Sequence, residues 1–365
     1  MTDLLRALIL PLLLVFVLAG CIKSGEPSVV RIGSVPDPTP PPEPIEFPED
    51  QFAHDSRLEW WYHNGHLESE NGREFGFHFV VFKAQDGSNE SNLVAQLGVI
   101  DVESGEHYEV SRATAGLPES DSNSLEIEIA DWVYRVGDTP GTHAVEATSE
   151  VVSLTLDLVS ETEVMLHKEI GWIPTEIGST YYYSWPRQTA TGQLVIDGET
   201  FNVNGTSWFD QQWGDFFVLG KPAGWQWFAV QLERGGSLMI TESRGTDGEV
   251  IETYGTYMTP DGVVTHLTGD VGGIKVDVLD RWTSPSTGGT YPSGWNLSVE
   301  SLDLELTLMP LVLDQEVQGG LPAASTYWEG KVAVGGTQDG TPVSGNAYVE
   351  LSGYVDPKPV MWRQR

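Results

Sequence analysis

The stretch Glu74-Phe75-Gly76-Phe77-His78-Phe79-Val80-Val81-Phe82 decides the fold. Side chains alternate across a β-strand. Phe75, Phe77, Phe79 and Val81 therefore share one face, and Gly76, His78, Val80 and Phe82 share the other. The same alternation recurs in Leu125-Glu126-Ile127-Glu128-Ile129, in Val151 to Val159 and in Leu302-Asp303-Leu304-Glu305-Leu306. Between the runs stand turn signals: Asn71-Gly72, Asp86-Gly87, Asp197-Gly198, Asp247-Gly248, Asp261-Gly262 and Asp339-Gly340. Many short strands so punctuated predict an all-β fold of antiparallel sandwich or barrel type. From Phe52 onward no helical stripe interrupts the pattern.

The chain echoes itself. Ser179-Thr180-Tyr181-Tyr182 precedes Val203-Asn204-Gly205-Thr206-Ser207-Trp208-Phe209-Asp210. Ser325-Thr326-Tyr327-Trp328 precedes Val343-Ser344-Gly345-Asn346-Ala347-Tyr348-Val349-Glu350. Glu59-Trp60-Trp61-Tyr62 and Trp225-Gln226-Trp227-Phe228 each open a strand pair. Two similar β domains follow, at residues 51–214 and 215–357.

Composition narrows the partners. Of 365 residues, 53 are Asp or Glu and 19 are Lys or Arg, a formal net charge of −34. So acidic a surface repels nucleic acid and anionic lipid. The 13 Trp, 12 Tyr and 12 Phe argue against disorder, because disordered acidic chains are poor in aromatics. The acidic residues alternate with apolar ones along strands, which reads as a solvated outer face.

Residues 8–18 are almost uniformly apolar and follow Arg6. Eleven residues are too few to span ~30 Å of hydrocarbon as a helix, so they read as a signal-peptide core. Leu18-Ala19-Gly20-Cys21 resembles the bacterial lipobox. Residues 1–20 are then removed and Cys21, the chain's one cysteine, is lipidated. Disulfides and thiolate chemistry are thereby excluded. Residues 21–50, rich in proline, read as a semi-rigid polyproline tether. Ile22 after the cysteine favours the outer membrane, facing the periplasm.

Aromatic and polar residues concentrate in blocks: 59–67, 181–187, 205–214, 224–228, and 327–330 leading to 345–354. Together these resemble the lipocalin-like family of the carotenoid 1,2-hydratases and the attachment-type proteins known as predicted secreted hydrolases. The resemblance covers residues 50 to 356. It implies two tandem lipocalin-like (calycin-type) antiparallel β-barrels with an apolar cavity near their junction. It also implies an envelope partner, an ABC-type permease. In the hydratase branch, a carboxylic acid protonates an isoprene double bond and water captures the cation. Burial keeps such an acid protonated near neutral pH.

Asp210, between Trp208 and Trp213, suits that acid. The family motif reads Asp-His-x-Trp, whereas here it is Asp210-Gln211-Gln212-Trp213, and Gln211 cannot shuttle a proton. Glu59 and His63 share a strand face with Trp61 and offer a Glu–His proton pair. An alternative reading pairs Asp210 with Arg187 or Arg244, as buried charges need partners; Arg244 lies two residues after Glu242. A buried ion pair between the domains is the expectation for these arginines. Tyr183, Gln211, Trp208, Trp213, Trp225 and Trp227 line either an apolar ligand site or the interdomain core. His63, His66 and His78 do not form a metal set, because His-x-x-His on a strand splits across its faces. No cofactor is expected. No Gly-x-Ser-x-Gly elbow supports a serine hydrolase.

Two functions stay open. One is an envelope lipoprotein carrying an apolar small molecule for a transport system. The other is a hydratase or hydrolase with Asp210 as its acid. Convergence of Asp210, Glu59 and His63 on one pocket favours the enzyme, and separate pairing of each favours the carrier.

Overall fold

The computed structural model describes residues 42–85, 91–116, 119–120, 124–175, 178–215, 224–245, 247–320 and 325–355. The signal segment 1–20, Cys21 and the tether as far as residue 41 lie outside them.

Residues 74–82 lie in the strand Glu74–Gln85, and its phenylalanine face is a core. Phe75, Phe77 and Phe79 are at most 1% exposed. That strand belongs to an antiparallel sheet with 13 strands among the described residues. A meander of four strands (Leu58–Ser69, Glu74–Gln85, Ser91–Asp101, Glu106–Ala115) forms one side. Glu199–Gly214 pairs with Leu58–Ser69, and Gly178–Ile196 follows it. The remaining strands run back to Leu125–Ile129, which approaches Glu106–Ala115 and nearly closes a barrel.

The second sheet has 10 strands among the described residues and repeats this plan. It too is a nearly closed antiparallel barrel. Gly224–Leu232 takes the place of Leu58–Ser69, and Thr341–Ser352 that of Glu199–Gly214. Trp295, Trp328 and Phe228 fill its interior. Exposed glutamates alternate with buried apolar residues in Leu125–Ile129 and Leu304–Pro310, the solvated face that the composition predicts.

The internal echo is visible in the ladders. Tyr62 stands opposite Asp210, and Trp227 stands opposite Glu350. On the far side of these acids, Ser184 faces Asp210 and Glu329 faces Glu350. Tyr182 is thus the counterpart of Tyr327. Matching the Ser-Thr-Tyr blocks by sequence equates Tyr181 with Tyr327 instead, one residue out of register. A one-residue slip moves every side chain to the other face. Tyr181 is half-buried beside Trp213, whereas Tyr182 points into the junction.

The barrels meet through their outer faces. Tyr62, Val80, Tyr182 and Trp208 of the first pack on Trp227, Ala229, Met239 and Tyr254 of the second. Val80 and His78, on the second face of the opening stretch, are as buried as its phenylalanines. Polar staples cross the contact, among them three at one side. Arg187 Nη2 donates to the Leu232 carbonyl (2.9 Å), Gln231 Nε2 to the Pro186 carbonyl (2.8 Å), and Lys331 Nζ pairs with Glu74 (2.9 Å).

The proline-rich segment stops being a spacer before residue 50. Ile45 is buried against Gly171, and Phe47 sits edge-on to Tyr183 at 5.0 Å. Gln51 Nε2 then donates to the Gly137 carbonyl. Apolar side chains interleaved with the prolines give this stretch a face to bury. Among the described residues, no helix is long and apolar enough to cross a membrane.

Phe77 carries the first barrel's core, so Phe77→Ala should cost about 3–5 kcal/mol in denaturant unfolding. Truncation of the half-buried Trp282 at the edge of the second barrel should cost less.

Candidate active site at the barrel junction

Parity decides what reaches the junction. On Leu58–Ser69 the even positions face the second barrel and the odd positions face the first barrel's interior. On Glu199–Gly214, Trp208 and Asp210 face the junction, whereas Phe209, Gln211 and Trp213 face inward.

Asp210 is 3% exposed and receives three hydrogen bonds. Trp208 Nε1 donates at 2.7 Å, Tyr182 Oη at 2.6 Å, and Ser184 Oγ also donates. Trp227 Nε1 of the second barrel donates to Tyr182 Oη at 2.9 Å. His167 Nε2 lies 2.8 Å from Ser184 Oγ, and His167 Nδ1 lies 2.9 Å from Thr256 Oγ1. Since Ser184 donates to Asp210, His167 must donate through Nε2 and accept from Thr256. Burial holds His167 well below its ordinary pKa, so the ring is neutral and fits that tautomer. Every group in this chain therefore aims a donor toward Asp210.

Two further carboxyls share the junction. Glu329 and Glu350 stand opposite each other on neighbouring strands of the second barrel. Tyr62 Oη donates to Glu329 Oε1, and the Trp225 side chain hydrogen-bonds Glu350. Burial raises all three acids. It lifts Asp210 to about 6 against the pull of its three donors. Glu350 rises to about 7, chiefly by burial, with Trp225 pulling it down and Asp210 pushing it up. Glu329 goes well above the carboxylate range, by burial first and by Glu350 second. Two carboxyls facing each other in an apolar wall cannot both ionise, so each pushes the other toward its protonated form. The junction thus holds three acids raised toward neutrality, with Asp210 lowest and Glu329 highest. Trp60, Phe82, Trp225 and Glu350 are half-buried and mark the side where this cluster meets solvent.

The residues singled out from the sequence divide accordingly. Asp210, Trp208, Trp225 and Trp227 come together at the junction. Glu59 and His63 do not join them. Glu59 is fully buried at one end of the first barrel, with Lys83 Nζ at 2.9 Å, His54 Nδ1 at 2.7 Å and Gln211 Nε2 at 3.0 Å. His63 lies in that barrel's interior with Tyr134, His143 and Phe209. The Glu59–His63 proton pair is corrected: alternation puts both on the inward face, and each has its own neighbours. Trp61 and Tyr183 also face that interior, Tyr183 donating to Gln211 at 2.7 Å, and Trp213 stacks on His54 at 3.9 Å.

The expected arginine pairs are corrected as well. Arg187 binds carbonyls across the junction, and Arg244 pairs with Glu242 (2.6 Å) on its own strand. Glu242 also accepts from Gln226 on the inner side of the second barrel. Neither arginine reaches Asp210, so no buried ion pair between Arg187 or Arg244 and an acid joins the barrels. His63 faces inward while His66 and His78 lie near Tyr348.

Gln211 is the instructive case. It follows Asp210 and so points the opposite way, into the Glu59 network. A histidine there would also face away from Asp210. The departure from Asp-His-x-Trp therefore bears on the barrel end and not on the acid's chemistry. Sequence reasoning missed Glu329, Glu350, Tyr62, Tyr182, Ser184 and His167. A signal existed, because the internal echo places Glu350 at the position of Asp210.

A family model described as AttH-like matches residues 38–354, most of the chain. The chain belongs to the AttH-like family. A kievitone hydratase of Fusarium solani subsp. phaseoli is 22% identical over 252 residues, 65% of this chain and 68% of that protein. Among solved structures, an AttH protein of Nitrosomonas europaea superposes with a TM-score of 0.77 at 29% identity, covering 87% of this chain and all of that one. A kievitone hydratase of Nectria haematococca superposes with a TM-score of 0.67 at 16% identity, over 85% of this chain and 93% of that one. The resemblance read from the aromatic blocks is thereby borne out, with its two tandem barrels.

A raised carboxyl pKa penalises the fold as pH rises. The folded state holds a proton on Glu350 that the unfolded chain releases near pH ~4.3, so stability is lost between there and about 7. Glu350→Gln should remove this. From about pH 5 to about pH 8 the wild-type melting temperature should fall more steeply than the variant's. Parallel curves by scanning calorimetry would show that Glu350 is not held protonated.

Proposed function

We propose that this protein is a hydratase-like enzyme that adds water to, or removes it from, a carbon–carbon double bond of an apolar substrate held between the barrels. The observation that carries this reading is the gathering of three carboxyls within aromatic walls at the junction, with Asp210 ringed by donors and Glu350 set against Glu329. Groups whose environments push their pKa values apart take the roles of acid and base.

In the hydration direction, Glu350 gives its proton to one alkene carbon and the π electrons form the new C–H bond. The adjacent carbon becomes a cation, which the faces of Trp225 and Trp227 stabilise. A water oxygen bonds to that carbon, and Asp210 takes the proton that the water releases. The product is the alcohol. Asp210 then releases its proton and Glu350 takes one up from solvent at its half-buried side, which restores both for the next turnover. Tyr182, Ser184 and Trp208 hold Asp210 ionised and oriented for its part. Here Asp210 is the base and the glutamate pair the acid, which revises the role that the sequence suggested for Asp210.

Incubation with isoprenoid and prenylated aromatic alkenes in isotopically labelled water should yield products heavier by one labelled water. Glu350→Gln should lower turnover by roughly 10²–10⁴-fold while the protein stays folded. The rate should follow a narrow bell, falling below about 6 as Asp210 is protonated and above about 7 as Glu350 loses its proton. A flat profile, or full activity in the Gln variant, would remove the glutamate from the mechanism.

We further propose that the enzyme works in the cell envelope, held by lipid on Cys21. The apolar run at residues 8–18 and the position of the lone cysteine support this. Two acyl chains suffice for stable anchoring. Cys21→Ser should abolish incorporation of labelled palmitate and shift the protein to the soluble fraction. Labelling that persists in the variant would overturn the anchor.

A further inference from the structure

Beside the carboxyl cluster, the junction holds a second group of polar side chains that the chemistry above does not use. Asn64 and His78 stand opposite each other on neighbouring strands, and Gln96 shares their face on the next strand. Tyr348 comes from the second barrel, its ring centre 6.5 Å from that of His78. All four are at most 1% exposed. Yet Asn64 Nδ2, His78 Nδ1 and Nε2, Gln96 Nε2 and Tyr348 Oη have no hydrogen-bond partner among the described residues. Glu329 Oε2 comes within 3.8 Å of His78 Nδ1, too far for a hydrogen bond.

Buried polar atoms are nearly always satisfied, because each one left bare forfeits its hydration. Five bare atoms on one wall call for a polar occupant. The sheet seats the histidine closely. Gly98 lies opposite His78, and a Cβ there would fall 2.2 Å from His78 Cε1. Only glycine lets the imidazole lie against the sheet.

The chemistry of the wall narrows the occupant. Asn64, Gln96 and Tyr348 each present an N–H or O–H, and neutral His78 presents one more. Burial, aided by His107, brings His78 down to about 3, so the ring carries no charge at neutral pH. Glu329 beside it stays protonated. A wall of neutral donors matches an uncharged acceptor oxygen better than an ion.

We infer that this patch is a binding subsite for an uncharged hydroxyl or carbonyl group on the molecule whose double bond lies beside Asp210 and Glu350. The substrate class is thus an oxygen-bearing apolar compound rather than a pure hydrocarbon. The link to a double bond rests on the proposed hydration, whereas the subsite itself rests on the bare donors.

The test is binding, measured in the Glu350→Gln protein so that turnover plays no part. Tryptophan fluorescence titrations would use farnesol and its hydrocarbon counterpart farnesene. Farnesol should bind roughly tenfold or more tightly. Tyr348→Phe and His78→Phe in that background should each remove most of this preference and leave farnesene affinity unchanged. Both variants should fold, because the atoms that they delete have no protein partner. Equal affinity for the two probes, a preference that survives both substitutions, or no binding of either overturns the subsite and leaves ordered water as its occupant. Discrimination without turnover of any alkene keeps the subsite and removes the hydration chemistry. Turnover without discrimination does the reverse.

Discussion

The structure depends on drawing three carboxyl groups out of water between two barrels, with no arginine or lysine paired to them among the described residues. Hydroxyls and indoles take the cations' place: Tyr182, Ser184 and Trp208 on Asp210, Tyr62 on Glu329, and Trp225 on Glu350. Neutral donors stabilise a carboxylate less than a cation would, so burial wins and the acids rise toward neutrality. A paired arginine would instead hold its acid ionised. The protein has arginines nearby, and it uses Arg187 to staple carbonyls at the rim instead. On the proposed hydration, keeping cations out is what leaves these acids able to exchange protons near neutral pH.

That arrangement needs two sheets and not one. A single barrel presents its outer face to water, where a carboxyl keeps its ordinary pKa. Packing outer face on outer face removes the water from both at once. The interiors, filled by Phe75, Phe77 and Phe79 in one barrel and by Trp295 and Trp328 in the other, serve as rigid cores. The tandem repeat explains the placement. Duplicated strands put Asp210 and Glu350 at equivalent positions, and the face-to-face packing brings those positions together. Ser184 in one copy where the other has Glu329 breaks the symmetry. One barrel therefore supplies a single acid ringed by donors, and the other supplies two facing carboxyls that raise each other.

Within the sequence, the fold was legible and the site only partly so. Alternation in residues 74–82 and the glycine-bearing turns dictated antiparallel barrels, because pleat and turn chemistry are local. The echo of Val203–Asp210 in Val343–Glu350 announced the duplication. Asp210 stood out by its tryptophan neighbours, and it does sit at the centre of the junction. Glu59 and His63 stood out by the same argument and proved to be interior scaffold. Density of polar and aromatic residues marks burial, and it does not say on which side of a strand the burial occurs.

What the sequence by itself determined is the strand pattern, the duplication and the parity of each side chain along its strand. Parity is a property of the pleat and needs no partner. What only the tertiary structure decided is which parity meets the other barrel. In a lone antiparallel sheet the face bearing Gly76, His78 and Phe82 would be the wet one. Here it is dry, because a second sheet lies on it, and that contact joins residues more than a hundred positions apart, such as Tyr62 and Glu329. Burial at that contact raised Glu350 to about 7 and Glu329 well above the carboxylate range. It also left His78, Gln96 and Tyr348 with polar atoms that no group among the described residues satisfies.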